Sequence, residues 1–516
     1  MKKFFTSLFE TTEQLSEHDA KRGSRLLVTD GVFAMGMGAL AGGPFLAAFA
    51  LAIGASNYEI GMLATIALLS QLMQLPGLIL TRYFPKRRAI VTAFAGASRL
   101  LWLFIIMIPL LFVNRGVTFL LQWFLISALV GAAAGPAWNS LLRDIVPKDS
   151  FGRVFAQRMA LGTALALGVT LGGGWFVDKW NTVSPDTSLY AYSCLFTLGL
   201  VFGLIATFAV SRLPEPMMKR DENTSLLDLV IQPVKDGNFR KLLVFLAFWS
   251  FSVNMAGPFF VIYMLQRIGI SLSLVTMLTV TSQVANLLFL KIWGKLADRY
   301  SCKSVLAASG PLFFISVLAW CFTTMPERYL LTIPVLFAIH ALSGIGLAGV
   351  NISAAGIALK LSPNEKAHGY MTVFGLVGAL AGACGPLVAG LLADFFGARE
   401  LSLALNWSDP ARELSVYALN IKALDFVFLI AFVVGMFAMR KLTAVKEEGE
   451  IPQDKVLGEL LDEVFLPFRM ASSVEGLRNR VALPVASILR VARKRKDEKV
   501  SRSAGDADEG DNVGGG

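Results

Sequence analysis

Few side chains in this sequence can do chemistry, and they lie within apolar stretches. His340 stands twelve residues into a run from Tyr329 to Asn351. An ionisable group deep in hydrocarbon is costly, and histidine alone has an unperturbed pKa near physiological pH. It therefore reads either as a site of proton or substrate handling or as a neutral histidine hydrogen-bonded between helices. Asp30 is a second candidate for handling protons, although it and Lys291 lie near the ends of their stretches, where snorkelling is an adequate explanation. Gln71, Gln74, Asn254, Gln283, Asn286 and Asn351 are further polar residues in such stretches, amides that suit many solutes. Arg99 reads as a tie to another helix, and Lys422 with Asp425 as a local pair. Trp138 and Trp249 either shape a cavity or mark packing. No glycine loop of the phosphate-cradling type occurs, and no serine or cysteine stands beside a histidine and a carboxylate at catalytic spacing. The only other histidines are His18 and His368. Neither an enzyme nor a cofactor or metal site is expected.

These residues must be held by membrane-spanning helices. The chain has 516 residues, of which 55% are hydrophobic and 16% charged, and its mean hydropathy is +0.61. A soluble globular protein carries about 25% charge. About 20 apolar residues cross the hydrocarbon layer as a helix, and by that test the sequence holds twelve spans, centred near Gly38, Leu69, Phe104, Leu129, Leu167, Gly199, Ser252, Thr281, Ile315, Ala341, Ala381 and Phe432. The net charge of +10 sits in short loops and tails, which points to anionic lipid rather than nucleic acid. Arg82, Lys86, Arg87, Arg88, Arg143, Lys148, Arg153, Lys295, Arg299 and Lys303 fall in loops of one parity, so both termini are expected in the cytoplasm of a cell bounded by this (inner) membrane. Cys194, Cys302, Cys321 and Cys384 lack pairing or metal-ligand spacing.

The sequence repeats itself. Gly77, Arg82 and Tyr83 recur 217 residues later as Gly294, Arg299 and Tyr300; Gly54, Met62 and Leu63 recur as Gly269, Met277 and Leu278; Gly174 and Asp178 recur as Gly390 and Asp394. Six spans per half give the halves the same orientation, related by an axis along the membrane normal. The divisions expected are a cytoplasmic tail at 1–25, a six-helix bundle at 26–210, a cytoplasmic linker at 211–240 with an amphipathic segment at Leu226 to Val234, a second bundle at 241–441 and a tail at 442–516. In that tail Val474, Leu477, Val481 and Val485 recur at helical spacing among arginines, a segment that either lies on the inner leaflet or is loosely ordered. Gly43-Pro44 and Gly257-Pro258 interrupt the first and seventh spans at matching depth, where loosened backbone can line a cavity.

The turn Gly294-Lys295-Leu296-Ala297-Asp298-Arg299-Tyr300-Ser301-Cys302-Lys303 joins two apolar runs and resembles the cytoplasmic loop signature of the major facilitator superfamily of secondary transporters. The resemblance extends over roughly Leu26 to Lys441. It implies an all-α polytopic fold of two pseudo-symmetric six-helix bundles, and a conformational latch built from Gly294, Asp298, Arg299 and Lys303, with Gly77 and Arg82 at the equivalent corner. Asp298 would be drawn to the start of the helix that opens near Tyr370. Departures are visible: Thr81 stands where the family has aspartate, and Ser127 where its proton-coupled drug exporters have arginine. By the same resemblance Gln71, Gln74, Asn254, Gln283, Asn286 and His340 face a central cavity; Asn351 is also a candidate.

The function expected is secondary active transport of a small organic solute by alternating access, with protons as coupling ion, by a monomer. A drug or metabolite exporter or a lipid flippase of the same fold is the alternative. Of another class is a non-transporting sensor or scaffold that signals through the tail from Val456 to Lys496.

Overall fold

In hydrocarbon no water is present to satisfy a backbone N–H or C=O, so each apolar stretch must close its hydrogen bonds within itself. A computed structural model describes residue 12 and residues 16–112, 115–217, 226–324, 327–363, 366–409, 412–452 and 454–461. The first six helices are α1 (Glu17–Ala52), α2 (Asn57–Tyr83), α3 (Arg87–Leu111), α4 (Gly116–Ile145), α5 (Phe151–Val183) and α6 (Pro185–Ser211). The second six are α7 (Gly237–Arg267), α8 (Leu272–Arg299), α9 (Cys302–Phe322), α10 (Thr332–Lys360), α11 (Ala367–Phe396) and α12 (Leu424–Leu442). Eleven of them are long and apolar enough to cross a membrane. The last, of 19 residues, gathers its charges at its ends, with Asp425 in the first turn and Arg440 and Lys441 in the last. Leu103, Leu110, Phe208, Leu288 and Val433 stand exposed on outward faces. Burying such a side chain is worth roughly 1.5–3 kcal/mol, and lipid supplies that burial.

The repeat carries into the backbone. Gly54 and Gly269, at the turns before α2 and α8, both take positive φ, 88° and 68°, a conformation that glycine adopts without steric cost. A serine follows each turn and caps the next helix: Ser56 in a capping box with Glu59, and Ser271 through Leu274 N. The interruptions also correspond. α1 breaks into Glu17–Leu40 and Gly43–Ala52, and α7 into Gly237–Ala256 and a short segment after Gly257-Pro258 that ends in a π turn, Tyr263–Arg267.

One feature departs from expectation. The segment between α11 and α12 is an antiparallel hairpin, β1 (Glu400–Asp409) with β2 (Arg412–Lys422), so the regular structure among the described residues is helical apart from this ribbon and an isolated bridge between Thr12 and Pro216. Its signal was present: Leu401, Leu403, Leu405 and Trp407 alternate with Ser402, Ala404, Asn406 and Ser408. Lys422 and Asp425 pair through the Lys422 backbone N–H, at 3.0 Å, while the Lys422 ammonium lies 3.6 Å from Glu400. The linker contains a helix, Leu226–Lys235, over the segment read as amphipathic. The residues through Glu450 form one compact unit; a short helix over 454–461 belongs to a second. The arginine-rich tail segment at Val474 to Val485 lies outside the described residues.

Candidate functional site

The two halves meet along two seams, α2 against α11 and α5 against α8. Close approach is written into both. A Cβ on Gly61 would collide with the Pro386 carbonyl, and one on Gly174 with the Thr276 hydroxyl. At one end of the seams each half presents an aspartate to the other. Asp178, near the end of α5, accepts from the N–H groups of Leu272 (3.1 Å) and Ser273 (2.7 Å) and from the Ser273 hydroxyl. Asp394, near the end of α11, accepts from Tyr58 N–H (3.1 Å) and Asn57 Nδ2 (3.0 Å). Both carboxylates thus sit on the opening turn of a helix, where unpaired N–H groups and the helix dipole favour negative charge.

The opposite end carries the basic loops, and there each half is tied within itself. Glu215 accepts from the N–H groups of Arg87 (3.2 Å) and Arg88 (2.5 Å) at the start of α3; the buried Arg87 guanidinium also bonds Glu215 and Asp144. Glu447 does the same for Cys302 N (3.2 Å) and Lys303 N (2.6 Å) at the start of α9, and also takes Lys360 Nζ at 3.1 Å. The Lys303 ammonium pairs with Glu450. Asp298 is exposed on the last turn of α8, with no hydrogen bond or ion pair among the described residues. Tyr370, near the start of α11, instead packs on Phe239 and reaches Asp236. Asp298 therefore does not reach the start of α11 in this conformation, although Lys303 of the same corner is paired. Arg299 lies over the Tyr300 ring, Arg82 is exposed, and Gly77 lies against the Ala133 carbonyl, where a Cβ would not fit.

Between these ends the interrupted helices enclose a chamber of about 560 Å³. Gly42, Gly43 and Pro44 form one wall and Gly257 and Pro258 another, as the matching interruptions predict. Ile60, Leu63, Phe124, Val253, Phe260 and Trp320 make most of the surface apolar, while Thr279, Ser282, Gln283, His340 and Ser343 bring polar atoms, all from the second half. His340 Nδ1 lies 2.8 Å from the Leu336 carbonyl, and its ring meets Trp320 edge to face. A carbonyl only accepts, so Nδ1 holds the proton and Nε2 of the neutral ring is left as an acceptor. A second hollow of about 400 Å³ adjoins the chamber, sharing Ala67 and Phe124, and is lined by Ser70, Gln71, Gln74, Ser98 and Ser127.

Other expected residues lie elsewhere. Asn254 bonds Ser250 O within α7, Asn286 bonds Gly344 O on α10 at 3.3 Å, and Asn351 is exposed away from both hollows. Asp30 does not snorkel. It is buried, with Arg158 Nη2 of α5 at 3.5 Å, and Gly31 leaves space for that arginine, which also lies over Trp138. Arg99 donates to Gly203 O (2.7 Å) and Thr207 Oγ1 on α6, the tie its position suggested. Trp249 is packed among Phe245, Phe313 and Phe314.

Residues 241–489 match the family described as the Major Facilitator Superfamily, and the fold resembles a point mutant of the nucleoside transporter NupG with a TM-score of 0.64, at 13% identity over 83% of this chain and all of that one. The second half of the chain thus matches that superfamily's model, and the chain as a whole shares the fold of its transporters. Further facilitator folds align likewise: a POT family transporter in complex with 5-aminolevulinic acid (TM-score 0.58, 13% identity, 86% of this chain and 100% of that one), and an inward-facing bacterial homolog of the human lysosomal transporter Spinster (0.53, 14%, 84% and 98%). At such identities they show the fold alone. The multi-drug resistance efflux pump PmrA of Streptococcus pneumoniae is 25% identical over 222 residues, 42% of this chain and 48% of the pump; the match spans about half of that relative's length. In facilitator terms the chain is an integral membrane protein whose interrupted first and seventh helices flank the central chamber.

Proposed function

We propose that this protein is a secondary active transporter that moves a small organic solute by alternating access, driven by protons. The observation that carries the reading is the chamber between the halves, joined across both seams at one end by Asp178 and Asp394 while Asp298 at the other end is unengaged. A carboxylate on a helix start at each seam of one mouth and an unengaged Asp298 at the other fit one of the two states that such a carrier needs. By the distribution of lysine and arginine the Asp298 end is cytoplasmic, which makes the conformation inward-facing.

Two groups support proton coupling. His340 presents an acceptor nitrogen at the chamber wall, where protonation would change both its charge and its hydrogen-bonding role. Asp30 is held by Arg158 across the first half, and protonating the carboxylate would free the arginine. An exporter of lipophilic compounds is the second reading, supported by the apolar chamber wall and by the similarity to PmrA. Reconstitution separates these readings. Proteoliposomes with an imposed pH gradient should accumulate or expel neutral aromatic solutes or a lipophilic dye such as ethidium. The sign of flux against the gradient reports symport or antiport; binding without flux would refute transport.

A further inference from the structure

We propose that the hollow beside the chamber is a head-group subsite, and that the solute is a neutral amphipath whose carboxamide-like head binds the Gln71–Gln74 pair while its apolar body fills the chamber. The inference rests on the transport reading and specifies its substrate class.

One face of α2 leads to it. Ile60, Leu63, Ala64 and Ala67 follow at helical spacing on the chamber wall, and the same stripe continues toward the basic end as Ser70, Gln71 and Gln74 on the wall of the second hollow. The surface therefore changes from apolar to polar along a single helix edge, at the two residues, Ala67 and Phe124, that both hollows share.

The serines in the hollow are already committed. Ser70 Oγ donates to Ala67 O at 2.9 Å, while Ser98 and Ser127 donate to each other's carbonyls at 2.8 and 2.9 Å and so tie α3 to α4. The glutamines are half committed. Gln74 Nε2 donates to Gln71 Oε1 at 2.5 Å, and among the described residues neither amide makes another hydrogen bond. Three N–H donors, the Gln74 carbonyl and the second lone pair of the Gln71 carbonyl remain. Reversing both amides leaves the same set of donors and acceptors on the pair, so the complement is independent of how they are oriented. Gly135 faces Gln74, where a Cβ would stand 3.4 Å from Cδ, so the seam has room beside the amide.

The linings of both hollows lack Asp, Glu, Lys and Arg. A carboxylate or ammonium head would meet no counter-charge in either lining, whereas a carboxamide offers the matching acceptor and donor.

Four ligands that share a phenylbutyl body test this: 4-phenylbutanamide, 4-phenylbutyrate, 4-phenylbutylammonium and butylbenzene. Their Kd values are measured with tritiated ligand on the full-length protein in nanodiscs. The amide should bind about tenfold more tightly than either ion. Gln74→Leu should weaken the amide about threefold to tenfold and leave butylbenzene unchanged, as expected for a net hydrogen bond. Gln74→Glu should turn the preference toward the ammonium, a gain that a misfolded variant would not show. An ion bound as tightly as the amide by the wild type overturns the proposal, as does a Gln74→Leu protein that keeps amide affinity or loses butylbenzene equally. Counterflow of the amide across proteoliposomes separates the two layers: preference without counterflow sinks transport alone, and counterflow without preference sinks the head-group assignment alone.

Discussion

Asp178 and Asp394 occupy equivalent positions in the two halves, and each holds the opening turn of a helix in the other half: Asp178 that of α8, Asp394 that of α2. Because the halves carry the same device in opposite senses, the closed mouth is a two-point contact, one point on each seam. Four residues, one helical turn, before each aspartate is a glycine, Gly174 or Gly390, where a Cβ would strike the partner helix. Charge and close approach therefore act at the same place.

Neutralising either cap should loosen that mouth. Asp178→Asn or Asp394→Asn removes a charged acceptor from a helix start, and about 1.4 kcal/mol, a tenfold shift in the open population, is the expected size. The measurement is the labelling rate of a cysteine placed at Ala47 by a membrane-impermeant maleimide added from the Asp178 side. Gly174→Val should raise that rate further, since its side chain displaces Thr276. Unchanged rates in all three variants would show that the caps do not hold this mouth.

His340 should be separable from substrate passage. With Nδ1 bound to Leu336 O, His340→Gln keeps a polar side chain but cannot take up a proton. Accumulation driven by a pH gradient should fall at least about tenfold, while exchange of solute across the membrane without a gradient continues. Accumulation that survives intact would move the coupling role to Asp30.

The Asp30–Arg158 pair should show strong non-additivity. Removing Asp30 leaves a half-buried Arg158 guanidinium without its carboxylate, whereas removing Arg158 leaves the buried Asp30 still facing Arg99, so the cost of the first change should approach, without reaching, the roughly 3–5 kcal/mol of a fully buried broken pair. Asp30→Asn should therefore lower unfolding stability in mixed micelles more than the double variant with Arg158→Gln. Equal or additive losses would mean that the 3.5 Å contact is not an energetic pair.

The two glutamates of the basic end should differ. Glu215 faces a fully buried Arg87 guanidinium, whereas the Lys360 partner of Glu447 is half exposed. Glu215→Gln should cost about 2 kcal/mol or more and Glu447→Gln about 1 kcal/mol by the usual worth of charged hydrogen bonds. Thermal unfolding in detergent checks the order, and a reversed order contradicts it.

What the sequence disclosed follows from the range of each signal. Spans, interruptions and the turn glycines are local patterns, so Gly43-Pro44, Gly257-Pro258, Gly54 and Gly269 could be read directly, and the repeat bound them into halves. Asp178 and Asp394 were visible only as matching letters, because the N–H groups they accept from lie 94 and 336 residues away. Asp30 looked like a snorkelling residue for the same reason: Arg158 belongs to another helix. Asn254, Asn286 and Asn351 show the converse error, since a polar side chain in an apolar run satisfies itself on a nearby carbonyl or faces outward as readily as it lines a cavity. The corner at Asp298 carries a strong motif, but a motif does not say which of two conformations the chain adopts.

Spin-label distances across both mouths, measured in one preparation, test reciprocal opening. One pair is placed at Lys179 and Ser402, near the capped end, and another at Lys86 and Lys366, near the basic end. In the Asp178→Asn, Asp394→Asn double variant the first distance should lengthen and the second shorten relative to wild type, each mouth closing as the other opens. A first distance that lengthens while the second stays fixed, or two that lengthen together, would contradict alternating access.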